Sequence, residues 1–588
     1  MSDRLDLTAD TAFVLGKHVA AVDRALDRLS ALQAVERLWD RDGSLWTSDP
    51  QAIADIERRL GWLDLPAEIT SQRQSVERLA EEVRAAGCTQ AVLLGMGGSS
   101  LGPEVLREIL GVEPGHLDLR VIDTTDPAEI RHAAEAIDLV HTLFLVSSKS
   151  GTTAETLAQY QYFRSEMQRV VGHAWPQHFV AITDPGTPLA DVATAHAFRA
   201  LLYGKPDVGG RFSVLSAFGL LPAALLGVDL ARLAASARGM AASTQPGAPL
   251  AHNTALRFGA AMGALAASRP MRRDKLTLLT SPRLTAFGAW AEQLVAESTG
   301  KNGTGIVPID GEPQLNAQQY DADRLFVYLR LDNDNSAAPD ALATQLVAAG
   351  QPLIYLRLRD VYGLGGEFFR WEYATAVAGQ LLGVNPFDQP NVESAKKQAR
   401  QALTAYEQTH RLAEESPCLE NAEMSLSGPV SRPGEDVETY LRRVVDDAVQ
   451  PGGYVAIMAY MERSCAACEH LAQVRAALAQ RTGLATTLGF GPRFLHSTGQ
   501  LHKGGPEGGL FLQITHDNDA DVAIPDAPYT FGVLQRAQAL GDLAALRLAD
   551  RRVVRVHLKH TDLSGLDRLT AIWRPATAPN TPEGHNDA

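Results

Sequence analysis

The chain is poor in cysteine and in long apolar runs, and each shortage excludes a class of protein. Four cysteines in 588 residues cannot form the disulfide framework of a secreted scaffold, so we expect a reducing cytoplasm. The longest uncharged apolar stretch, residues 212–228, is shorter than the roughly 20 residues that a spanning helix needs. The N-terminus has no apolar run behind a basic flank. We therefore expect neither a membrane span nor a signal peptide.

Basic residues are also scarce, because 54 Lys and Arg face 69 Asp and Glu, which gives a net charge of −15 with His neutral. That sign argues against broad binding to nucleic acid. An anionic ligand would have to be attracted by a local site. The content of 45% hydrophobic and 21% charged residues is typical of a soluble globular chain. The length predicts several domains, at roughly 100–200 residues each.

The distribution of apolar segments predicts an α/β fold. Residues 1–90 show helical periodicity and are expected to form an N-terminal helical cover. From residue 91 onward, short apolar runs alternate with helical segments, which predicts a mostly parallel sheet flanked by helices. The same alternation returns at residue 275. We therefore predict a first lobe over residues 91–240 and a second lobe over residues 241–400.

The C-terminal part repeats this texture after a polar stretch at about residues 400–440, which we interpret as a connection. Strand-like runs at 454–460, 509–515 and 552–559 predict a third α/β portion over residues 401–575. This portion either forms its own layer or completes and extends the second lobe. The last residues, 576–588, are predicted to be a disordered tail.

A glycine-rich segment, GMGGSS at 95–100, follows the first predicted strand and precedes a helix. Glycines let the backbone approach an anion, and the free N–H groups of a helix start favour phosphate. Ser100 stands where a dinucleotide fingerprint has its third glycine, and no Gly-Lys-Ser/Thr sequence ends the loop. The segment therefore predicts a phosphate cradle, with a ligand-free tight turn as the alternative.

A second loop, SSKSGTT at 147–153, has hydroxyl groups at the same place in a later strand-helix unit. Hydroxyls beside free backbone amides suit a phosphomonoester, although a Ser/Thr-rich helix cap would look the same. Open parallel sheets bind ligands outside the carboxyl ends of their strands. The two loops together therefore predict one phosphate site.

Three further segments supply groups suited to proton transfer. Arg211 follows two glycines and precedes an apolar helix. Gln293 and Glu297 lie four residues apart, on one face of a predicted helix. Gln389 precedes a helical segment that carries Lys396. For each segment, the alternative is a solvated helix face.

Five segments in chain order resemble the signature segments of the glucose-6-phosphate isomerase family, whose two lobes have the sugar isomerase (SIS) fold. They are GMGGSSLG, SSKSGTTAET, GGRFSVLSAFGLLP, EQLVAESTGK and FDQPNVESAK. The resemblance covers roughly residues 90–400 and extends to spacing, since Gln389 stands seven residues before Lys396. It implies two SIS-type lobes, each a mostly parallel sheet, and an aldose–ketose isomerase of glycolysis and gluconeogenesis. It also implies a sugar phosphate substrate and no metal or cofactor.

The resemblance further implies roles for individual residues. Glu297 would move a proton between C2 and C1, Arg211 would stabilise the enediolate, and Lys396 would assist ring opening. Gln293 and Gln389 would contact the substrate. The phosphate would be held by Gly98, Ser99, Ser148, Ser150, Thr153, Thr156 and the backbone around Lys149.

The histidine that opens the sugar ring in this family is missing from its usual position. The stretch between the glutamate and the FDQ segment, residues 307–324, contains no histidine. The matching pattern, FLHSTGQLHKGG, occurs instead at 494–505, in an order that resembles the isomerase portion of transaldolase/glucose-6-phosphate isomerase fusions. We predict that the chain order is rearranged and that His496 enters the same site. The alternative is a loop histidine without a catalytic role.

Two other functions fit the same segments. One is an isomerase that also accepts mannose 6-phosphate, and the other is a non-catalytic sugar-phosphate-binding regulator. Glu297, Arg211 and Lys396 argue against the regulator, since a sensor needs no base. The resemblance implies a homodimer, whereas a histidine supplied within the chain would permit a monomer. No nucleic-acid or membrane partner is expected.

Overall fold

Three β-sheets organise the chain in the computed structural model, which describes residues 5–249 and 252–574. The predicted tail at 576–588 lies outside the described residues. Across the described ranges, no helix combines the length and apolar character needed to cross a membrane. The α/β class predicted from the alternating segments is confirmed.

The N-terminal segment is mostly helical, but it also contributes a strand that the predicted helical cover lacks. This strand pairs antiparallel with Leu353–Leu358 and forms one edge of the second sheet. A run of four residues is too short for its periodicity to be visible in the sequence. The elements are β1 (Thr11–Val14), α1 (Val19–Ala31), α2 (Ala34–Trp39), α3 (Pro50–Glu57) and α4 (Leu65–Ala85).

The first lobe is a five-stranded parallel sheet whose strands alternate with helices along the chain. Its elements are β2 (Gln90–Gly95), α5 (Leu101–Leu110), β3 (Asp118–Ile122), α6 (Pro127–Ala136), β4 (Thr142–Ser147), α7 (Ala154–Val171), β5 (Phe179–Thr183), α8 (Pro188–Ala195), β6 (Ala200–Tyr203), α9 (Ala217–Leu225) and α10 (Leu230–Ser243). The strand order is β3-β2-β4-β5-β6. Because β2 and β4 are neighbours, the two predicted phosphate loops lie side by side at the carboxyl edge.

The second lobe is also a five-stranded sheet, and one apolar core joins it to the first lobe. Its elements are α11 (Thr254–Ala267), β7 (Lys275–Thr280), α12 (Phe287–Thr299), β8 (Val307–Ile309), β9 (Arg324–Leu331), α13 (Ala337–Ala348), β10 (Leu353–Leu358), α14 (Leu364–Leu382) and α15 (Val392–Thr409). The strand order is β1-β10-β9-β7-β8. The almost fully buried helix α14 packs against α10, α11 and α12, so it fixes α12 beside the first lobe.

The C-terminal portion forms a sheet of its own, which decides between the two arrangements left open by the sequence. Its elements are β11 (Leu419–Glu420), β12 (Met424–Ser427), α16 (Val437–Asp446), β13 (Tyr454–Tyr460), α17 (Cys465–Thr482), β14 (Ala485–Phe490), α18 (Gly499–Gly504), β15 (Gly509–His516), α19 (Phe531–Leu548), β16 (Arg552–Leu558) and α20 (Ser564–Trp573). The strand order is β11-β12-β16-β15-β13-β14, and β14 lies near β8 without pairing with it. The interpretation of residues 400–440 as a connection is wrong in part, because β12 lies within this sheet and buries Met424 and Leu426.

Ion pairs dock this third sheet onto the carboxyl edge of the first. Arg493 Nη1 lies 2.6 Å from Asp123 Oδ2, and Arg493 also pairs with Glu104. Arg463 Nη1 lies 2.9 Å from the other oxygen of Glu104. Burial alone would raise the pKa of Glu104, but the two arginines hold that pKa well below its usual range. These contacts bring the segment after β14 over the first lobe.

Candidate active site

A cleft of about 740 Å³ opens between the carboxyl edge of the first sheet, the helices α12 and α15, and the segment after β14. The predicted site residues that line it are Gly98, Ser99, Lys149, Ser150, Thr153, Arg211, Gln293, Glu297, Gln389, Lys396 and His496. Two further predicted residues, Ser148 and Thr156, are buried and do not line the cleft. Residues of both lobes and of the C-terminal portion therefore meet in one cleft.

The glycines of the first loop are required by close packing. Gly97 has a φ of +57°, and a Cβ there would lie 2.7 Å from the carbonyl oxygen of His496. A Cβ on Gly98 would overlap the carbonyl oxygen of Gly210. The loop is thus pressed against two neighbouring segments, and it leads directly into α5 at the edge of the cleft.

The second loop holds its hydroxyl groups in a tight turn before α7. Ser148 Oγ lies 2.9 Å from Thr153 Oγ1 and accepts a hydrogen bond from the Gly151 amide at 3.1 Å. Thr153 is the N-cap of α7 but makes no side-chain cap hydrogen bond. The first amides of this helix, and the positive end of its dipole, are therefore available to an anion in the cleft.

The side chain of Lys149 is engaged by other protein groups. Its Nζ pairs with Asp184 and donates to the carbonyl oxygen of Lys205 at 3.0 Å. Among the described residues, the buried Oγ1 of Thr156 has no hydrogen-bond partner. The hydroxyl residues of this loop that line the cleft are Ser150 and Thr153.

Arg211 and Glu297 form the ionic centre of the cleft. Arg211 Nη1 lies 3.3 Å from Glu297 Oε1, and Arg211 is only 4% exposed. Its Nε donates to Ser298 Oγ at 2.7 Å, and Nη1 donates to Gln389 Oε1 at 3.2 Å. Its Nη2 donates to the carbonyl oxygens of Pro386 and Asp388. Burial lowers the pKa of Arg211 below its usual value, and these acceptors fix its guanidinium beside Glu297.

Gln293 connects the carboxylate of Glu297 to the C-terminal portion. Its Nε2 lies 3.3 Å from Glu297 Oε2 and donates to the carbonyl oxygen of His496 at 2.7 Å. Gln293 and Glu297 stand one turn apart on α12, as their spacing predicts. The amide of Gln293 therefore ties the His496 segment to the helix that carries the carboxylate.

The ring of His496 is held by a buried carboxylate of the first lobe. His496 Nε2 lies 2.9 Å from Glu155 Oε1, the oxygen that also accepts a 2.6 Å hydrogen bond from Gln538 Nε2. Burial alone would raise the pKa of Glu155, but the charge and hydrogen bond of His496 bring it below its usual value. The structure thus places a histidine of the C-terminal portion on the same cleft as Glu297.

Two lysines flank the ionic centre in different environments. Lys396, on α15, is about half exposed at the rim of the cleft, and its Nζ lies 3.0 Å from Glu393 Oε1. Lys301 is buried, and its Nζ lies 2.7 Å from Asp388 Oδ1. Burial, together with the nearby Arg211, lowers the pKa of Lys301 to about 7. Lys396 is therefore the more accessible of the two cations.

Sequence reasoning missed Glu155, Gln538 and Lys301. Glu155 stands in the quoted SSKSGTTAET segment, where an acidic residue after a hydroxyl cluster gives a usable signal. Lys301 likewise ends the quoted EQLVAESTGK segment. Gln538 lies in an ordinary helical pattern and contacts Glu155 across 383 positions of the chain. No local pattern could have revealed that contact.

Comparisons with known proteins point to one family of enzymes. The family model described as phosphoglucose isomerase matches residues 64–311. The "Probable glucose-6-phosphate isomerase" of Natronomonas pharaonis is 33% identical over 407 residues, which cover 63% of this chain and 91% of that protein. The glucose-6-phosphate isomerase of Rubrobacter xylanophilus is 32% identical over 387 residues, which cover 58% and 88%. The crystal structure of a glucose-6-phosphate isomerase from Chlamydia trachomatis aligns with this chain with a TM-score of 0.53 and 19% identity. The alignment covers 67% of this chain and 88% of the Chlamydia chain, and it shows that the two share a fold.

The relatives and the shared fold define the class of protein, an aldose–ketose isomerase built from two α/β lobes. The N. pharaonis relative exceeds 30% identity, and the alignment extends over nearly all of its length. The chain belongs to the glucose-6-phosphate isomerase family.

Proposed function

We propose that this chain interconverts D-glucose 6-phosphate and D-fructose 6-phosphate, with the side chains of this cleft as its catalytic groups. One juxtaposition carries the proposal: the Glu297 carboxylate lies 3.3 Å from the Arg211 guanidinium in a cleft that also receives two phosphate-binding loops. Aldose–ketose isomerisation requires a base, a cation near the developing enediolate, and an anchor for the unreactive end.

The phosphate is anchored at the carboxyl edge of the first sheet. The loop amides and the hydroxyls of Ser150 and Thr153 donate hydrogen bonds to its oxygens, and the free amides at the start of α7 add their partial positive charge. The anchor supplies binding energy far from the reacting carbons, so it positions the sugar for the proton transfer. These short-range donors let an acidic protein bind a dianion.

Proton transfer takes place between Glu297 and the open-chain sugar. Glu297 removes the proton from C2 of the aldose, and the electron pair forms the enediolate double bond to C1. The same carboxyl returns the proton to C1, while the hydroxyl proton moves from O2 to O1. When Glu297 becomes protonated, negative charge moves to the enediolate, and Arg211 Nη1, until then 3.3 Å from that carboxylate, can stabilise the new charge.

Ring opening precedes proton transfer and requires acid and base groups at the ring oxygen and the anomeric hydroxyl. His496 and Lys396 are two ionisable side chains that line the cleft, and we assign these roles to them. No metal or cofactor takes part in this mechanism.

Every group in this mechanism comes from one chain. The resemblance implies a homodimer whose sites share residues between subunits, but here the chain's own His496 faces its own Glu297 across the cleft. We propose that the enzyme needs no partner residue, acts in the cytoplasm, and is active as a monomer or as a homodimer.

A coupled assay for fructose 6-phosphate, run with pure protein and glucose 6-phosphate, tests the proposal. Steady turnover that is abolished in Glu297→Gln is expected. Binding of glucose 6-phosphate without turnover would favour the regulator. A parallel assay with mannose 6-phosphate separates the single-substrate enzyme from the dual isomerase.

A further inference from the structure

A buried hydrogen-bond chain extends from the ring of His496 into the interface between the C-terminal portion and the first lobe. His496 Nε2 contacts Glu155 Oε1, which accepts from Gln538 Nε2 at 2.6 Å. Gln538 Oε1 in turn accepts from Thr125 Oγ1 at 2.8 Å. Glu155 and Gln538 are each 5% exposed, and Thr125 is fully buried. Removing one member of this chain would leave a largely buried polar neighbour short of a hydrogen bond, which is costly.

The direction of each hydrogen bond in the chain follows from its neighbour. An ionised carboxylate only accepts, so the amide of Gln538 must present its NH₂ group to Glu155. The amide oxygen then faces Thr125, whose hydroxyl must donate. For the same reason His496 Nε2 carries its hydrogen toward Glu155. Nδ1 is then the ring nitrogen available to a substrate.

We propose that Gln538 is a positioning residue for ring opening: it holds the Glu155 carboxylate in the orientation that fixes the tautomer and ring plane of His496. The inference rests on the proposed function and adds to it a residue from α19, outside every segment that resembles the family. Gln538 acts only through Glu155 and His496, whereas the phosphate loops and Glu297 operate without it. Its loss should therefore slow ring opening and leave substrate binding nearly unchanged.

Ring opening can be measured apart from isomerisation in a Glu297→Gln background. Without the base, glucose 6-phosphate is not converted to the ketose, but each opening and closing of the ring exchanges its α and β anomers. Exchange NMR on substrate labelled with ¹³C at C1 gives this rate at saturation, and its concentration dependence gives the apparent KM. We expect Gln538→Leu to lower the enzyme-catalysed exchange rate by about ten-fold, the effect of losing one hydrogen bond to a charged group, with little change in KM.

Gln535→Leu is the matched control. Gln535 lies on the same helix, is also 5% exposed, and donates to Asp126 Oδ2 of the first lobe at 3.0 Å, but it does not contact Glu155. If this variant slows anomer exchange as much as Gln538→Leu does, the effect comes from docking of α19 and the proposal is wrong. An unchanged exchange rate in Gln538→Leu would also contradict it.

Thr125→Val keeps the inference testable if Gln538→Leu fails to fold. It removes the hydroxyl that orients the Gln538 amide while conserving the shape of the side chain, so a smaller loss in the same direction is expected. An unchanged rate in Thr125→Val would overturn the inference. A wild-type chain that isomerises normally while these variants show no defect disproves the positioning role alone, whereas a wild-type chain that neither isomerises nor exchanges anomers disproves the proposed function as well.

Discussion

The two ends of the cleft are built in opposite ways. The end to which we assign the phosphate consists of two loops from neighbouring strands of one sheet, and each loop is a continuous stretch of sequence. The reacting end joins Arg211, Glu297, Gln389, Lys396 and His496, which belong to both lobes and to the C-terminal portion. An anchor for phosphate can thus be local, because helix amides and hydroxyls suffice, whereas proton transfer depends on long-range packing.

This difference predicts different kinetic consequences. Groups at the reacting end should act mainly on kcat, since they interact most strongly with the transition state. Groups at the phosphate end should act mainly on KM. Of the four variants below, three test this kinetic division and Gly98→Ala tests the packing of the phosphate end; they run from the largest expected effect to the smallest.

Glu297→Gln should give the largest loss. Without the base, kcat should fall by about 10⁴-fold, while calorimetry should show nearly unchanged binding of glucose 6-phosphate. Glu81→Gln, an exposed carboxylate on α4, is the control and should retain full activity. Substantial turnover in Glu297→Gln would show that Glu297 is not the base of the proton transfer.

His496→Ala should lower kcat on glucose 6-phosphate by about 100-fold, the usual contribution of one acid–base group. Because the ring sits at the reacting end, KM should change little. His560→Ala replaces an exposed histidine of the C-terminal portion and should behave like the wild type. Near-normal turnover in His496→Ala would show that His496 is a loop histidine without a catalytic role, and it would contradict the prediction that the chain order is rearranged.

Gly98→Ala tests whether the first loop, at the phosphate end, is tightly packed. The added methyl would collide with the carbonyl oxygen of Gly210, so we expect a loss of about 2 kcal/mol in the free energy of unfolding. Chemical denaturation measures this loss. Gly239→Ala, where a Cβ meets nothing within 4 Å, is the control. Equal stabilities of the two variants would contradict the tight packing of the first loop.

Ser150→Ala should have the smallest effect. Loss of one hydrogen bond to the phosphate should raise KM about ten-fold, with a smaller change in kcat. Ser71→Ala removes an exposed hydroxyl on α4, outside the cleft, and should leave both constants unchanged. A fall in kcat larger than the rise in KM would contradict the expectation that groups at the phosphate end act mainly on KM.

Much of the fold could be predicted from the sequence because buried parallel strands form short apolar runs. The predicted runs at 454–460, 509–515 and 552–559 coincide with β13, β15 and β16 to within one residue. The missed strands include β1, β8 and β12, which have only three or four residues each. Such strands depend on partners that are distant in the chain, so their sequences carry little periodic signal.

Prediction of the candidate site has the same limit, because residues that meet only through long-range contacts leave no local pattern in the sequence. The two loops that we assign to the phosphate are contiguous glycine and hydroxyl clusters after apolar runs, so the sequence indicates them, and the structure places them on one cleft. Glu155 and Gln538 were missed because the roles proposed for them depend on contacts 341 and 383 positions apart in the chain. The engagement of Lys149 by Asp184 was equally invisible, since residues on two adjacent strand ends meet only in the folded sheet.

The central claim is that one chain supplies the whole reacting end. Co-expression of His496→Ala with Glu297→Gln tests it directly. If the site used the histidine of a partner subunit, a mixed dimer would contain one intact site, formed by Glu297 of the first variant and His496 of the second. The account predicts that the purified mixture shows only the summed residual activities of the two variants. Recovery of a substantial fraction of wild-type kcat in the mixture would contradict it.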